Sequence, residues 1–270
     1  MYSYSTKWWS KIWPWRFALR TSYSLIRTRS QTFALTGTFE YISQNIVQPL
    51  FDVDLNRDRY GVLRGGAAYD TGLPWWNETL QVLATYSHGT GGRDAADVVA
   101  SGVPLSRQGA SPLFTKANVD AHLVQPLPEA FRFDLIGRVQ ATFDAPLLVP
   151  EQFFLDGPQA VSAYPSGSLP VDEGGTLRGE LSRSFTLPGT PVVLSPYGFG
   201  VVGVGRLDDP TIVEIALVRA ASVGGGLRST VDSPDGYHGV TLGFEVARQY
   251  SNLPNLQHFW RGNVSMSIRF

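Results

Sequence analysis

Over most of the chain, apolar and polar side chains alternate with a period of two. Trp13, Trp15, Phe17, Leu19, Tyr23 and Leu25 share one parity, and Arg16, Arg20, Ser22 and Ser24 the other. Successive side chains of a strand point to opposite faces, so this is a strand with one apolar and one polar face. The pattern returns as Phe33, Leu35, Gly37, Phe39 and Tyr41 against Thr32, Thr36, Thr38 and Glu40. Ala117, Val119, Ala121 and Leu123 repeat it against Lys116, Asn118, Asp120 and His122, as do Phe131, Phe133, Leu135, Val139, Ala141 and Phe143 against Arg132, Asp134, Arg138, Gln140 and Thr142. Looser versions lie near 57–70, 77–88, 175–187, 191–206, 213–231 and 237–249. The last stretch sets Trp260, Gly262, Val264, Met266, Ile268 and Phe270 against Arg261, Asn263, Ser265, Ser267 and Arg269. The expectation is an all-β, antiparallel chain of about eleven strands.

Alternation alone fits a soluble barrel, apolar inside, or a membrane barrel, apolar outside. Two further features favour the membrane. Aromatic residues crowd strand ends, at Trp8, Trp9, Trp75, Trp76, Phe259 and Trp260, where an interfacial girdle would lie. Short connections at 27–29, 71–76, 125–129, 187–190 and 232–236 alternate with longer ones at 44–56, 88–112, 145–175 and 249–258. Residues 207–210 are the one short exception among the outer connections. No run approaches the roughly 18 apolar residues of a spanning helix, so any crossing is made by strands. Residues 1–20 carry Lys7, Lys11 and Arg16 among tryptophans and lack the pattern of a signal peptide.

Composition narrows the chemistry. Charged residues make up 17% of the 270, apolar ones 43%, and there are 28 Gly and 18 Pro, a mix suited to many strands and turns. A net charge of −1 offers no electrostatic footprint for nucleic acid. The absence of cysteine excludes disulfides, thiolate metal sites and cysteine nucleophiles. No metal, cofactor or catalytic group is expected. His88 with Asp94 and Asp97 in one long connection is the sole grouping an outer-membrane hydrolase could use, and with 4 His and 23 acidic residues chance supplies it easily.

The most informative stretch is 151–180, EQFFLDGPQAVSAYPSGSLPVDEGGTLRGE. Its Gly-Pro, Tyr-Pro, Leu-Pro and Gly-Gly pairs mark a long loop, and loops of that length are functional or disordered. In order it carries Glu151, Gln152, Phe153, Leu155 and Gly157, then Val161, Ser162, Ala163, Tyr164 and Pro165, then Asp172, Glu173 and Gly174. This order resembles the EQFxLGG, VRGY or VRAYP, and GDEG-like segments of the inward-folding loop in two-partner secretion transporters, the haemolysin secretion/activation family of the outer-membrane protein insertase superfamily. Asp156 replaces the first glycine of the GG pair, and Ser162 the arginine.

The resemblance implies a transmembrane β-barrel of about sixteen strands, with periplasmic POTRA domains before it, in the outer membrane of a Gram-negative bacterium. It implies export of a large haemolysin- or adhesin-type partner, contact with outer-membrane lipid, and insertion by the barrel assembly machinery, for which the terminal Phe270 is the signal. On this expectation residues 1–270 are a C-terminal portion of the barrel domain, truncated and with no POTRA domain, and not sufficient for export alone. The family's loop arginine pairs with the aspartate of a wall FxDxG motif. Phe199 and Gly203 match that motif here, but Val201 stands at the aspartate position. With Ser162 and Val201 in place of both partners, the pinning contact is expected to be lost as a pair, which costs far less than losing one member. A passive porin or surface adhesin needs only the barrel and has no use for these motifs.

Overall fold

A computed structural model describes residues 11–51, 53–73, 78–144, 146–233, 238–254 and 259–270. Its strands are β1 (Lys11–Arg27), β2 (Gln31–Gln48), β3 (Val53–Leu73), β4 (Glu78–Gly92), β5 (Thr115–Pro126), β6 (Phe131–Thr142) and β9 (Glu173–Arg183), followed by β11 (Val192–Arg206), β12 (Leu217–Asp232), β13 (Gly239–Ser251) and β14 (Trp260–Arg269). These pair antiparallel, each with the next, in one continuous sheet, and the short β10 (Phe185–Thr186) adds to β11. The eleven strands on the main path agree with the period-two pattern. A separate hairpin of β7 (Phe153–Phe154) and β8 (Pro170–Val171) lies inside the 143–172 connection, where the sequence suggested a loop without structure.

The two faces are sorted by side chain. Trp15, Phe17, Leu19, Leu63, Val139, Leu177, Val202, Phe244, Val264 and Met266 all stand exposed on the outer face. Glu40, Lys116, Asp134, Gln140, Arg178, Glu180 and Glu245 are buried on the inner one. That is the inverse of a soluble barrel and the arrangement lipid demands, since the ladder satisfies the backbone between strands while apolar side chains face hydrocarbon; among the described residues β1 and β14 are the two edges of the sheet. Trp8, Trp9, Trp75 and Trp76 lie outside the described residues, whereas Phe259 and Trp260 are exposed at the start of β14.

Three connections differ from expectation. β2 runs to Gln48 and β3 starts at Val53, so the long connection expected at 44–56 is mostly paired hairpin. Those strands have 18 and 21 residues, about twice what crosses a bilayer, and so project beyond it. Residues 93–114 contain a helix, α1 (Ala95–Ser101), where only a loop was read. The connection at 207–210 extends to Ala216, because Leu207 N–H bonds the Ala216 carbonyl at 2.9 Å before β12 begins, and the short exception disappears.

Candidate functional site

The 143–172 connection turns inward and touches strands from both halves of the sheet, which therefore curls around it. Phe153, Leu155, Val161, Ala163, Tyr164, Leu169 and Val171 are buried in one cluster with Phe199, Val201, Val218, Ala220 and Ala247 of the inner wall. A second cluster joins Leu147 and Leu148 to Ile42, Tyr60, Val62, Ala110 and Phe114. The loop thus carries its own apolar core into an otherwise polar interior, and burying each such side chain is worth roughly 1.5–3 kcal/mol.

Local sequence shapes the loop. Pro150 sits in a single turn at Val149–Glu151, which aims the Glu151 side chain inward. Gly157 adopts φ 128°, a conformation other residues rarely take. Asp156, in place of the expected glycine, has a job of its own. Its Oδ2 accepts from Ser168 N–H at 2.7 Å and Ser168 Oγ at 3.2 Å, tying the loop's two arms together. Ser168 N–H also closes a turn onto the Pro165 carbonyl at 3.1 Å. At Gly174 a β-carbon would lie 2.5 Å from the Val204 carbonyl oxygen, so only glycine lets β9 start there.

Three polar anchors hold the loop to its surroundings. At the first, Glu151 is 1% exposed and receives Arg64 Nη2 at 2.7 Å, Tyr60 Oη at 2.9 Å and Lys116 Nζ at 3.0 Å. Burial pushes its carboxyl up, but Lys116 and Arg64 outweigh that and hold it below the ordinary carboxylate range. At the second, Asp172 is fully buried and pairs with Arg107 of the 93–114 connection. It also accepts from Leu147 N–H at 3.0 Å and Asp208 N–H at 2.7 Å, while Gln152 Nε2 donates to it at 3.4 Å. It joins three outer connections at one carboxylate. Glu173 lies further out and pairs with Arg206 at 3.0 Å.

The third anchor is at Ser162, where a different contact stands in place of the arginine–aspartate pair that positions 162 and 201 lack. Ser162 Oγ donates to Glu245 Oε1 at 2.5 Å and accepts from Arg178 Nη1 at 3.2 Å, while Asn263 Nδ2 donates to its carbonyl at 2.9 Å. Arg178 Nη2 reaches Glu245 Oε2 at 2.8 Å and Glu180 Oε2 at 3.1 Å, and its guanidinium lies 3.7 Å from the Phe199 ring centroid. Tyr197 Oη adds a bond to Glu245 at 3.0 Å, and Arg228 closes the group on Glu180. The cation stands on the wall rather than on the loop, and the carboxylate on β13 rather than at position 201. Val201 pairs across the ladder with Arg178 and is buried against the loop, and Gly203 faces Val161.

The remaining residues fall elsewhere. Arg132 pairs with Asp134 at 2.6 Å and Arg138 with Asp120 at 2.9 Å, so the mixed-sign lumen lining is largely self-neutralised. Phe270 is 97% exposed at the sheet edge and packs on none of the described residues. The hydrolase grouping is not assembled. Asp94 caps α1, Asp97 bonds the Asp94 N–H at 3.2 Å to complete a capping box, and His88 bonds Thr115 at 3.1 Å. Arg64, Arg107 and Glu245 were missed by the motif reading. Their one signal is parity for Arg64 and Glu245, charged residues on the inward side of alternating strands; Arg107 has none.

Comparison with known proteins agrees with this architecture. The family model for haemolysin secretion/activation protein ShlB/FhaC/HecB matches residues 7–224. No curated protein matches. Among solved structures, CdiB from Escherichia coli superposes with a TM-score of 0.70 at 18% identity, over 96% of this chain and 45% of that one. CdiB from Acinetobacter baumannii gives 0.69 at 16% identity, over 95% and 42%. The chain thus spans less than half the length of either structure. It belongs to the haemolysin secretion/activation protein ShlB/FhaC/HecB family, outer-membrane transporters of Gram-negative bacteria and not enzymes.

Proposed function

We propose that this chain supplies wall and plug of an outer-membrane pore that exports a haemolysin- or adhesin-type partner protein, with residues 151–174 as the movable plug. On this reading residues 1–270 are a C-terminal portion of the barrel domain, and Phe270 is read by the assembly machinery. The carrying observation is that, beside its apolar cluster, the loop is held at three points by polar anchors that water and polypeptide can replace, over an interior whose other charges are largely paired. Ion pairs and hydrogen bonds can be exchanged for contacts with water or a passing chain, and they share the holding of the loop with its apolar cluster on the wall. A passive porin would have no need of Glu151, Ser162 and Asp172 converging from three points of one loop.

A reversible lock tests this. The Val161 Cγ2 atom lies 3.2 Å from where a β-carbon on Gly203 would be, close to the spacing of a β-carbon from the far sulfur of a disulfide, about 3 Å. The chain has no other cysteine to interfere. In planar bilayers the Val161→Cys, Gly203→Cys protein should lose its channel openings when oxidised and regain them with dithiothreitol. In cells making a candidate partner, release to the medium should follow the same reductant dependence. Openings and release that ignore the redox state would refute the plug.

A further inference from the structure

On the outside of the wall, where the long connections lie, β2, β3 and α1 enclose a cavity of about 400 Å³ lined by Tyr41, Arg57, Arg59, Arg93, Asp97 and Ser101 among others. Its three guanidiniums are unevenly matched. Arg57 pairs with Asp54. Arg93 is 8% exposed, yet its donors go to neutral acceptors: the Arg57 carbonyl at 2.9 Å, Ser101 Oγ at 2.5 Å and the Val103 carbonyl. Arg59 points outward, and among the described residues its side chain has no partner. The Asp97 carboxylate is turned toward the Asp94 N–H. Arg93 has the buried Asp58 carboxylate within electrostatic reach, whereas Arg59 borders the same cavity with no carboxylate in ion-pair range among the described residues, an arrangement that an anion completes.

The surroundings say which anion. Arg59 shares the outer parity of β3 with Leu63, and Phe39, Tyr41 and Tyr86 flank them on β2 and β4, all exposed to the membrane side. Trp15 meets Tyr41 edge-on at 6.0 Å, so an aromatic pair stands just below the cations. We propose that this cavity binds the phosphate of a phosphorylated glycolipid of the outer leaflet, with its acyl chains along Phe39, Leu63 and Tyr86. Guanidinium forks match phosphate oxygens in pairs, and basic pockets beside spanning segments take lipid head groups. The inference rests on the outer-membrane location and not on the export proposal. Bound there, the lipid braces α1 and the connection from which Arg107 reaches Asp172.

The test uses the full chain folded in a neutral detergent, with native mass spectrometry counting retained ligand. The ligands are bisphosphorylated lipid A, its dephosphorylated form, phosphatidylglycerol and inorganic phosphate. One bisphosphorylated lipid A should be retained. Arg59→Gln should weaken it about tenfold, the worth of one charge-assisted hydrogen bond, and Arg59→Lys should restore part of the loss. Ala100→Glu, which supplies the cavity with its own carboxylate, should abolish retention, and Arg183→Gln at the opposite rim should leave it unchanged. Heat-shifted mobility on gels confirms folding of each variant. Equal retention of dephosphorylated lipid or phosphatidylglycerol, competition by inorganic phosphate alone at matching concentration, or indifference to both Arg59→Gln and Ala100→Glu would overturn the proposal.

Discussion

Ser162→Arg restores the arginine that the family places on the loop, and the structure sets its cost. The ion-paired group at Ser162 holds two cations, Arg178 and Arg228, and two carboxylates, Glu180 and Glu245, so it is neutral in itself, with a further cation, Arg261, on Asn263 across the same cavity. A third arginine makes the count three to two and removes the hydroxyl that donates to Glu245. A fully buried unpaired cation costs several kcal/mol. Here a cavity of about 360 Å³ borders Ser162, Glu245 and Asn263, so the new side chain keeps some water. We expect a loss of about 2–3 kcal/mol. Val201 is the ladder partner of Arg178, so Val201→Asp sets a carboxylate beside that cation. Alone it should also destabilise, since it enters the apolar cluster. Together the two changes give three cations and three carboxylates, and a favourable coupling of about 1–3 kcal/mol should recover most of the Ser162→Arg loss. Urea unfolding of protein folded into lipid vesicles, followed by tryptophan fluorescence, provides the double-mutant cycle, and a loop that leaves before the wall shows as an earlier transition. Strict additivity would mean that positions 162 and 201 do not share one charge network, and the third anchor would be wrong.

Other consequences are independent of that cycle. Glu151→Gln leaves Arg64 and Lys116 without their shared carboxylate and should cost the docked loop about 3–5 kcal/mol, read as faster proteolysis of the loop. Because the folded Glu151 pKa lies below its free value of 4.5, its contribution is fully present above pH 4.5 and disappears as pH falls through the folded value. Loop protection in the wild type should therefore hold steady from neutral pH to about 5 and fall only below 4.5, and this fall should be missing in Glu151→Gln. Arg107→Met strands the fully buried Asp172 carboxylate, and Asp172→Asn keeps an acceptor for only one of Leu147 N–H and Asp208 N–H, which bond different oxygens, while turning its amide NH2 toward the other donor; both should loosen the loop, read as faster hydrogen exchange over 146–172. Deleting Phe270 should slow assembly in cells while leaving the unfolding midpoint of refolded protein unchanged, because its side chain is 97% exposed; an equal loss in both would make it a structural residue.

Much of the wall was legible because a period of two cannot be mistaken over ten or more residues, and a lipid-facing side must stay apolar along its whole length. Strand ends were less legible. At 44–48 and 53–56 the chain is already beyond the apolar band, so alternation fades although the ladder continues. The helix α1 left a trace that went unused: Asp94 and Asp97 are spaced as a capping box, with Gly102 at the far end. The motif order of the loop placed its residues correctly in sequence but said nothing of what they touch. Glu245 meets Ser162 across 83 residues, and Arg107 meets Asp172 across 65. Such pairs are created by the curling of the sheet around the loop, so a motif comparison that found both partners changed at 162 and 201 could register the loss and not its replacement.

The central claim is that residues 151–174 lie inside the wall. Ser166, exposed at the loop tip next to the buried Tyr164, is the place to measure it. A single Ser166→Cys substitution in this cysteine-free chain can be probed in intact cells with a large impermeant maleimide and a small permeant one. The account predicts labelling by the small reagent and almost none by the large one, with both reacting fully after denaturation. Ready modification by the large external reagent would put the loop outside the barrel and contradict the account.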